Sequence, residues 1–257
     1  MLGSVFLAVI FVADAMAAYR TAFSSFRRHI VDYTLYSLIF SAVSAVMGVI
    51  VILAFLVFGM VSAGALIDLI SSGNVLSLAA LGTGLVLLLM LAGLLIFVLL
   101  QGGLLGAYLE TVGGLLSDRK QSLGGFVSAV PRHAASMLAA FLLVGIVSCI
   151  PAAIGLAVAS LLGFSTIPGI AVAILGVFLT YLVSLLFIFV PPAVAVERRG
   201  PVDAMKSSVA RIIQHPVAFV IFLVLSALLA IPSITLIYIP FVLLPVGQAA
   251  LIAFHKR

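Results

Sequence analysis

The sequence predicts an all-α fold, a polytopic transmembrane helix bundle of about six spans that form three hairpins, each preceded by an interfacial amphipathic helix. Hydrophobic residues make up 65% of the 257 residues and charged residues only 7%, whereas soluble domains carry about 25% charged residues. Apolar runs recur that are long enough to cross a bilayer, which takes about 20 helical residues. Lys and Arg are confined to segments between pairs of these runs. We therefore treat residues 1–257 as a single integral membrane domain.

Six segments meet the length requirement for a span. Each is taken as a helix, because in lipid every backbone polar group must be bonded inside its own segment. We place the spans at 31–58, 76–109, 134–162, 169–196, 214–231 and 234–254. Residues 1–18 are ambiguous, because Asp14 ends an apolar run that is too short to span comfortably. We interpret 1–30 as a helix in the interface, and a seventh span at 1–18 remains the alternative.

All twelve Lys and Arg residues lie on one set of connecting segments and termini, which we call the basic face. The other connectors, 59–75, 163–168 and 232–233, contain no Lys or Arg. By the positive-inside rule, this pattern predicts a cell-membrane protein with a cytoplasmic basic face and both termini in the cytoplasm. Cysteines introduced at Asp68 and Lys120 should then be labelled from opposite sides of the membrane.

The segments before the three hairpins resemble one another, which suggests an internal repeat of approximately 11–109, 122–196 and 201–255. Each segment carries basic residues and closes on a histidine: His29, His133 or His215. Three histidines that met on one axis could bind zinc. They lack a nearby cysteine or carboxylate pattern, so we predict neither a metal nor another cofactor.

The third of these segments has the pattern of an amphipathic helix. Val202, Met205, Val209 and Ile212 (or Ile213) are spaced three or four apart and form one stripe. Such a helix lies flat among the headgroups with its cations against phosphates, each contributing about 1 kcal/mol. The candidate contacts to anionic lipid headgroups are Arg20, Arg27, Arg28, Arg132, Lys206 and Arg211. Binding of nucleic acid is not expected, because the chain has no compact basic domain.

Polar residues within or beside the spans are functional candidates, because burying them in lipid is costly. Gln101, Tyr108 and Glu110 form a candidate polar pathway, although Glu110 could instead cap the cytoplasmic end of the bundle. The nearby run Gly102-Gly103-Leu104-Leu105-Gly106 predicts close approach of two helices. Prolines in the later spans, such as Pro191 and Pro192, predict kinks or broken helices.

The run from Pro191 to Ser208, with a new apolar span after it, resembles the membrane domain of membrane-anchored glycerophosphodiester phosphodiesterases and related uncharacterised six-span prokaryotic proteins. In those proteins a proline-containing span ends in an acid, here Glu197, and a short helix follows, here Gly200-Pro201-Val202-Asp203-Ala204-Met205-Lys206-Ser207-Ser208. The opening helix from Asp14 is also similar. The resemblance implies a membrane architecture and no catalytic residue, since the activity of the phosphodiesterases resides in a separate soluble domain.

The chain has no paired acids, no nucleophile with a base, no phosphate loop and no zinc-protease helix. We therefore do not expect an enzyme. The first functional hypothesis is a non-enzymatic multi-pass membrane protein that acts as a scaffold, a partner subunit or a lipid-associated module. Its partners would be membrane lipids, a protein or a second copy of the chain. The alternative is a transporter or channel for a small or lipid-like solute.

Overall fold

A computed structural model describes residues 2–72, 78–119, 121–230 and 242–256. These residues are helical apart from short connectors and contain no strand, which confirms the all-α prediction. The helices are α1 (Leu2–Arg28), α2 (Ile30–Ser72), α3 (Leu78–Leu116), α4 (Leu123–Leu162), α5 (Ile167–Leu185), α6 (Val190–Ala195), α7 (Pro201–Gln214), α8 (Pro216–Ala230) and α9 (Leu244–His255).

Within the described ranges, four stretches are long and apolar enough to cross a membrane: Ile30–Ala54, Leu88–Leu116, Leu123–Leu162 and Ile167–Ala195. A fifth candidate is the pair α7 and α8, which is bent by 100°. The predicted span at 234–254 falls partly on 231–241, outside the described residues, and its described part is α9. The protein is therefore a polytopic helix bundle embedded in a membrane.

Several helices continue beyond the predicted spans. The connector predicted at 59–75 is helical up to Ser72, because α2 continues beyond Ala54, where the candidate span ends. Likewise α3 continues to Leu116, and α4 begins at Leu123, where the Ser122 hydroxyl accepts a hydrogen bond from the backbone N–H of Gly125 at 3.1 Å. The length of an apolar run is set by the thickness of the hydrocarbon core. The ends of a helix are instead set by capping residues, which can lie beyond that core.

One-residue breaks separate α1 from α2 and α7 from α8, and both fall on a histidine. His29 N–H donates to the carbonyl of Ser25, and the carbonyl of His29 accepts from Tyr33 N–H. His215 makes the same pair of bonds four residues before and after itself. The second predicted repeat differs, because His133 lies inside the continuous helix α4 and Pro131 does not end that helix. The internal repeat itself stays a prediction.

The face of α7 that packs inward is shifted from the predicted stripe. Ala204, Ser208 and Ile212 are buried, whereas Val202 is 53% exposed. Met205 and Val209 are half-buried beside them. The small side chains of Ala204 and Ser208 let α7 approach α6 and α4 closely, which a stripe chosen for its large apolar residues does not identify.

The helix α1 is packed into the bundle through a stripe of small residues. Ala15, Ala18, Ala22 and Ser25 are fully buried, and α1 contacts α8 and α9. The hydroxyl of Tyr19 lies 2.6 Å from the hydroxyl of Ser226 on α8. Helix formation in the N-terminal region is thus confirmed, and its depth in the membrane stays a prediction.

The span Ile167–Ala195 breaks just before Pro191 and Pro192, as the prolines predicted. Residues 186–190 form tightened turns in which the N–H groups of Leu186, Phe187, Ile188 and Val190 each bond the carbonyl three residues back. The side chain of Ser208 on α7 bonds two backbone groups of this break. Its hydroxyl donates to the carbonyl of Leu186 at 2.6 Å and accepts from the N–H of Phe189 at 3.3 Å.

We expect Ser208→Ala to lower the free energy of unfolding by about 1–3 kcal/mol, because it leaves buried backbone groups of the break without a partner. The matched control is Ser207→Ala on the same helix, since among the described residues the Ser207 hydroxyl bonds the carbonyl of Ala204 in its own helix and no group of another helix. The measurement is denaturant unfolding of the purified protein in detergent. Equal losses in the two variants would contradict this role of Ser208.

Candidate functional site

Ion pairs and hydrogen bonds join the ends of helices that lie next to basic residues. Arg28, at the end of α1, lies 3.1 Å from Asp118 after α3. Arg211 on α7 donates to the carbonyl of Phe254 on α9 at 2.9 Å. Buried hydrogen bonds add to this, including one from the Ser25 hydroxyl to the carbonyl of Leu115 at 3.1 Å. Arg28 and Arg211 of the basic face therefore take part in contacts that join α1 to the end of α3 and α7 to α9, whereas Lys120 and Arg257 lie outside the described residues.

Glu110, near the end of α3, is the centre of a cluster that joins it to three partner side chains. Its Oε2 lies 2.8 Å from Nε2 of His133 on α4. Its Oε1 lies 3.2 Å from Nη2 of Arg198 and 3.6 Å from Nη1 of Arg132. The Glu110 side chain is 18% exposed and that of His133 only 5%. Both carboxylate oxygens of Glu110 are therefore engaged by cationic or imidazole groups.

Close packing of α3 against α4 places Glu110 beside His133. A Cβ built on Gly103 would lie 2.4 Å from the carbonyl oxygen of Val130, and one built on Gly106 would lie 2.4 Å from Cβ of His133. No side chain fits at either position without moving the helices. The close approach predicted from the glycine run is therefore present, and it sets the distance across which Glu110 reaches α4.

Asp118 follows α3 in a Schellman-type ending, with its N–H bonded to the Leu115 carbonyl and the N–H of Arg119 bonded to Gly114. Its φ of 54° is left-handed, a conformation that Asp tolerates better than most residues. This turn aims the carboxylate at Nε2 of His29, 3.0 Å away. The hydrogen bond from His29 and the charge of Arg28 lower the pKa of Asp118 below its ordinary value.

A third histidine and acid pair lies beside these. Glu197 Oε1 is 3.2 Å from Nε2 of His255 at the end of α9, and Glu197 Oε2 is 2.6 Å from Nε of Arg199. Burial lowers the pKa of His255 below its ordinary value, which favours a neutral imidazole. This pair attaches α9 to the segment that follows α6.

A cavity of about 640 Å³ lies between these clusters. Its lining comes from the end of α3, the connector after it, the connector after α6 and the residue after α9, and consists of Glu110, Gly113, Gly114, Ser117, Arg119, Gln121, Val196, Arg198 and Lys256. Three separate segments thus supply one cation each. Within the described ranges, no carboxylate forms an ion pair with Arg119 or Lys256.

Arg198 adopts a strained backbone conformation at the cavity. Its φ is 56°, and a left-handed conformation costs a residue with a Cβ about 1–2 kcal/mol. Such residues concentrate at functional sites, where the surrounding structure holds them in place. Here the turn directs the guanidinium toward Glu110.

The candidate polar pathway is divided between two sides of α3. Tyr108 is fully buried and bonds the hydroxyl of Ser37 on α2 at 2.7 Å. Gln101 Nε2 donates to the hydroxyl of Ser44, also on α2, at 2.9 Å. Glu110 instead faces α4 and the cavity. The three residues therefore do not line one space in the described part of the chain, and Glu110 is at the basic end of the bundle.

The predicted lipid contacts have different environments. Arg20, Arg27 and Lys206 are exposed, and no hydrogen bond or ion pair of their side chains occurs within the described ranges. Arg28 and Arg132 are exposed but lie within 4 Å of Asp118 and Glu110. Arg211 is half-buried and holds α9 through the Phe254 carbonyl. The first three are therefore the cations most available to an external anion.

The histidines do not form one centre. His29 contacts Asp118, His133 contacts Glu110, and His215 borders a small cavity with Asp14 and Arg211. No group of three His, Cys, Asp or Glu side chains in the described ranges is placed to hold a metal ion.

Sequence reasoning missed Asp118, His255, Arg119 and Lys256 as site residues. The basic pattern had assigned Arg119 and Lys256 only to the orientation of the protein, although both lie directly at helix ends. No protein-family model, no curated protein sequence and no solved structure matches the chain.

Proposed function

We propose that this protein is a non-enzymatic, multi-pass, lipid-associated module whose basic face binds anionic phospholipid headgroups. In this proposal the protein lies in the cell membrane with the basic face and both termini on the cytoplasmic side. The resemblance to the membrane domain of glycerophosphodiester phosphodiesterases is part of the proposal, because it too implies a membrane module without catalytic residues.

The observation that carries the proposal is the 100° bend between α7 and α8. If α8 crosses the bilayer, this bend turns α7 toward the membrane plane, where an amphipathic helix contacts headgroups. Ala204 and Ser208 of α7 face the bundle, while Lys206 is exposed. Lys206 is therefore available to lipid phosphates.

Two exposed cations of α1 support the same conclusion. Arg20 borders an apolar groove of about 390 Å³ between α1 and α8, lined also by Met16, Tyr19, Phe23, Leu225 and Leu229. An arginine beside an apolar groove suits a phospholipid, whose phosphate lies next to its acyl chains. Arg27 lies two turns further along the same helix, where it is exposed.

The test is to purify the protein in a mild detergent and to identify the lipids that remain bound by mass spectrometry. We expect anionic phospholipids to be enriched over the surrounding membrane. The triple variant Arg20→Gln, Arg27→Gln, Lys206→Gln should lose most of this enrichment, since each cation contributes about 1 kcal/mol. The matched control, Arg20→Lys, Arg27→Lys, Lys206→Arg, keeps the charge and should retain it. Bound lipids that mirror the bulk membrane in every variant would refute the proposal.

A further inference from the structure

The cavity on the basic face has the properties of a binding site for one particular kind of anion. It holds about 640 Å³, within the range of roughly 300–1,000 Å³ that is typical of small-molecule sites. A single ion would occupy only part of this volume. The space therefore suits an anionic group attached to a larger polar body.

The charges that line the cavity are unbalanced. Among the described lining residues, Arg119, Arg198 and Lys256 supply three positive charges and Glu110 supplies one negative charge, which leaves an excess of two. Glu110 cannot neutralise Arg119 or Lys256 in addition, because His133 and two arginines already occupy its oxygens. Two of the three cations therefore face the cavity without an acid partner in the described ranges.

The donor groups suit phosphate. A guanidinium presents several N–H groups in a planar fork that matches phosphate oxygens, and a lysine adds a compact point charge. Nη2 of Arg198 bonds Glu110, and within the described ranges its other N–H groups make no hydrogen bond. The strained backbone of Arg198 is consistent with an arginine held in place to meet a ligand.

We infer that this cavity binds a phosphomonoester group and selects it over a phosphodiester. The inference rests on the proposed function, in which the basic face contacts phospholipid headgroups. A phosphomonoester carries close to two negative charges at neutral pH, because its second pKa is about 6. It therefore balances the excess of two positive charges, whereas a phosphodiester carries one charge and leaves one cation unpaired. A lipid headgroup and a soluble phosphomonoester share this chemistry.

The test uses the full-length protein in nanodiscs. In the lipid arm, binding to phosphatidate is compared with binding to phosphatidylglycerol at equal total negative charge in a phosphatidylcholine background. In the soluble arm, the protein in pure phosphatidylcholine nanodiscs is titrated with methyl phosphate and with dimethyl phosphate. The monoester should bind roughly tenfold more tightly than the diester in at least one arm, since a lost charge-assisted hydrogen bond costs about 1.5–3 kcal/mol. The arm in which it does so identifies the source of the group.

Variants connect the selectivity to the cavity. Arg119→Gln and Lys256→Gln should each weaken monoester binding by roughly tenfold, while Arg199→Gln, which removes a cation that contacts Glu197 and does not line the cavity, should leave it unchanged. Arg198→Gly removes the third cation and its contact with Glu110, but it also relieves a backbone strain of about 1–2 kcal/mol, so it should lower binding with little net change in the unfolding midpoint. This variant separates loss of the site from loss of the fold.

Two results would overturn the inference: equal binding of monoester and diester in both arms, or a loss in Arg199→Gln as large as in Lys256→Gln. If the protein retains anionic lipids and these results are obtained, the headgroup-binding function stands and only the selectivity fails. If no anionic lipid is enriched but methyl phosphate binds, the headgroup proposal fails and the cavity serves a soluble phosphomonoester.

Discussion

Gly106→Ala is expected to lower the free energy of unfolding by about 1–3 kcal/mol, the usual cost of overpacking. Its new methyl group would lie 2.4 Å from Cβ of His133, so α3 and α4 would have to separate. The separation would also lengthen the contact between Glu110 and His133, so the same substitution should disturb both the helix packing and the candidate site. The measurement is the denaturant midpoint of the purified protein in detergent.

The same helix provides a matched control. Gly93 has no atom within 4 Å of the position that a Cβ would take, so Gly93→Ala adds a methyl group to open space. Replacing a helical glycine by alanine without a clash stabilises by roughly 0.5–1 kcal/mol. The two variants should therefore move the midpoint in opposite directions, and a shift of the same sign in both would show that close packing at Gly106 is unimportant.

Glu110→Gln is expected to lower the free energy of unfolding by about 1.5–3 kcal/mol, because hydrogen bonds to a charged partner are lost. The amide keeps the size of the side chain but leaves Arg132, Arg198 and His133 without the carboxylate they contact. The same change should strengthen anion binding in the cavity, because it removes the negative charge that Glu110 contributes to the lining. Stability and affinity should thus change in opposite directions.

Asp203→Asn is the control for this change. Asp203 is an exposed carboxylate in the first turn of α7, where its favourable interaction with the helix dipole is worth about 0.3–1 kcal/mol. Asp203→Asn should therefore cost less stability than Glu110→Gln.

A double-mutant cycle of Glu110→Gln with His133→Gln measures the interaction energy of this pair, and we expect a coupling of about 0.5–3 kcal/mol. Additive effects within the error of measurement would mean that the contact at 2.8 Å does not stabilise the bundle.

The fold class could be predicted because the length of apolar runs and the positions of cations can be read directly along the sequence. Helix ends were harder to predict, as α2 shows by continuing to Ser72, since lipid thickness limits the apolar run and not the helix. The inward face of α7 was predicted only in part: Ile212 is buried as expected, but the small side chains of Ala204 and Ser208, which allow close packing, were not included in the stripe. Proline and glycine, in contrast, have direct steric effects, and the break before Pro191 and the contact at Gly106 followed from them.

The candidate site could be predicted only in part, because its members are distant in sequence. Glu110 was identified, and its role at the basic end of the bundle was one of the two alternatives considered. Its partner Arg198 is 88 residues away, and nothing in the spacing of a single chain links two such positions. Gln101 and Tyr108 were grouped with Glu110 by proximity along α3, but rotation around the helix axis places them on its α2 side.

The residues that line the cavity are spread along the chain, so the cavity can be complete only late in synthesis. Its lining begins at Glu110 and includes Lys256, and His255 and the Phe254 carbonyl anchor that segment to Glu197 and Arg211. A chain that emerges from the ribosome N-terminus first can insert its early helices long before residue 256 has been made. A nascent protein therefore has no complete anion site, and ligand capture can begin only after α9 has docked.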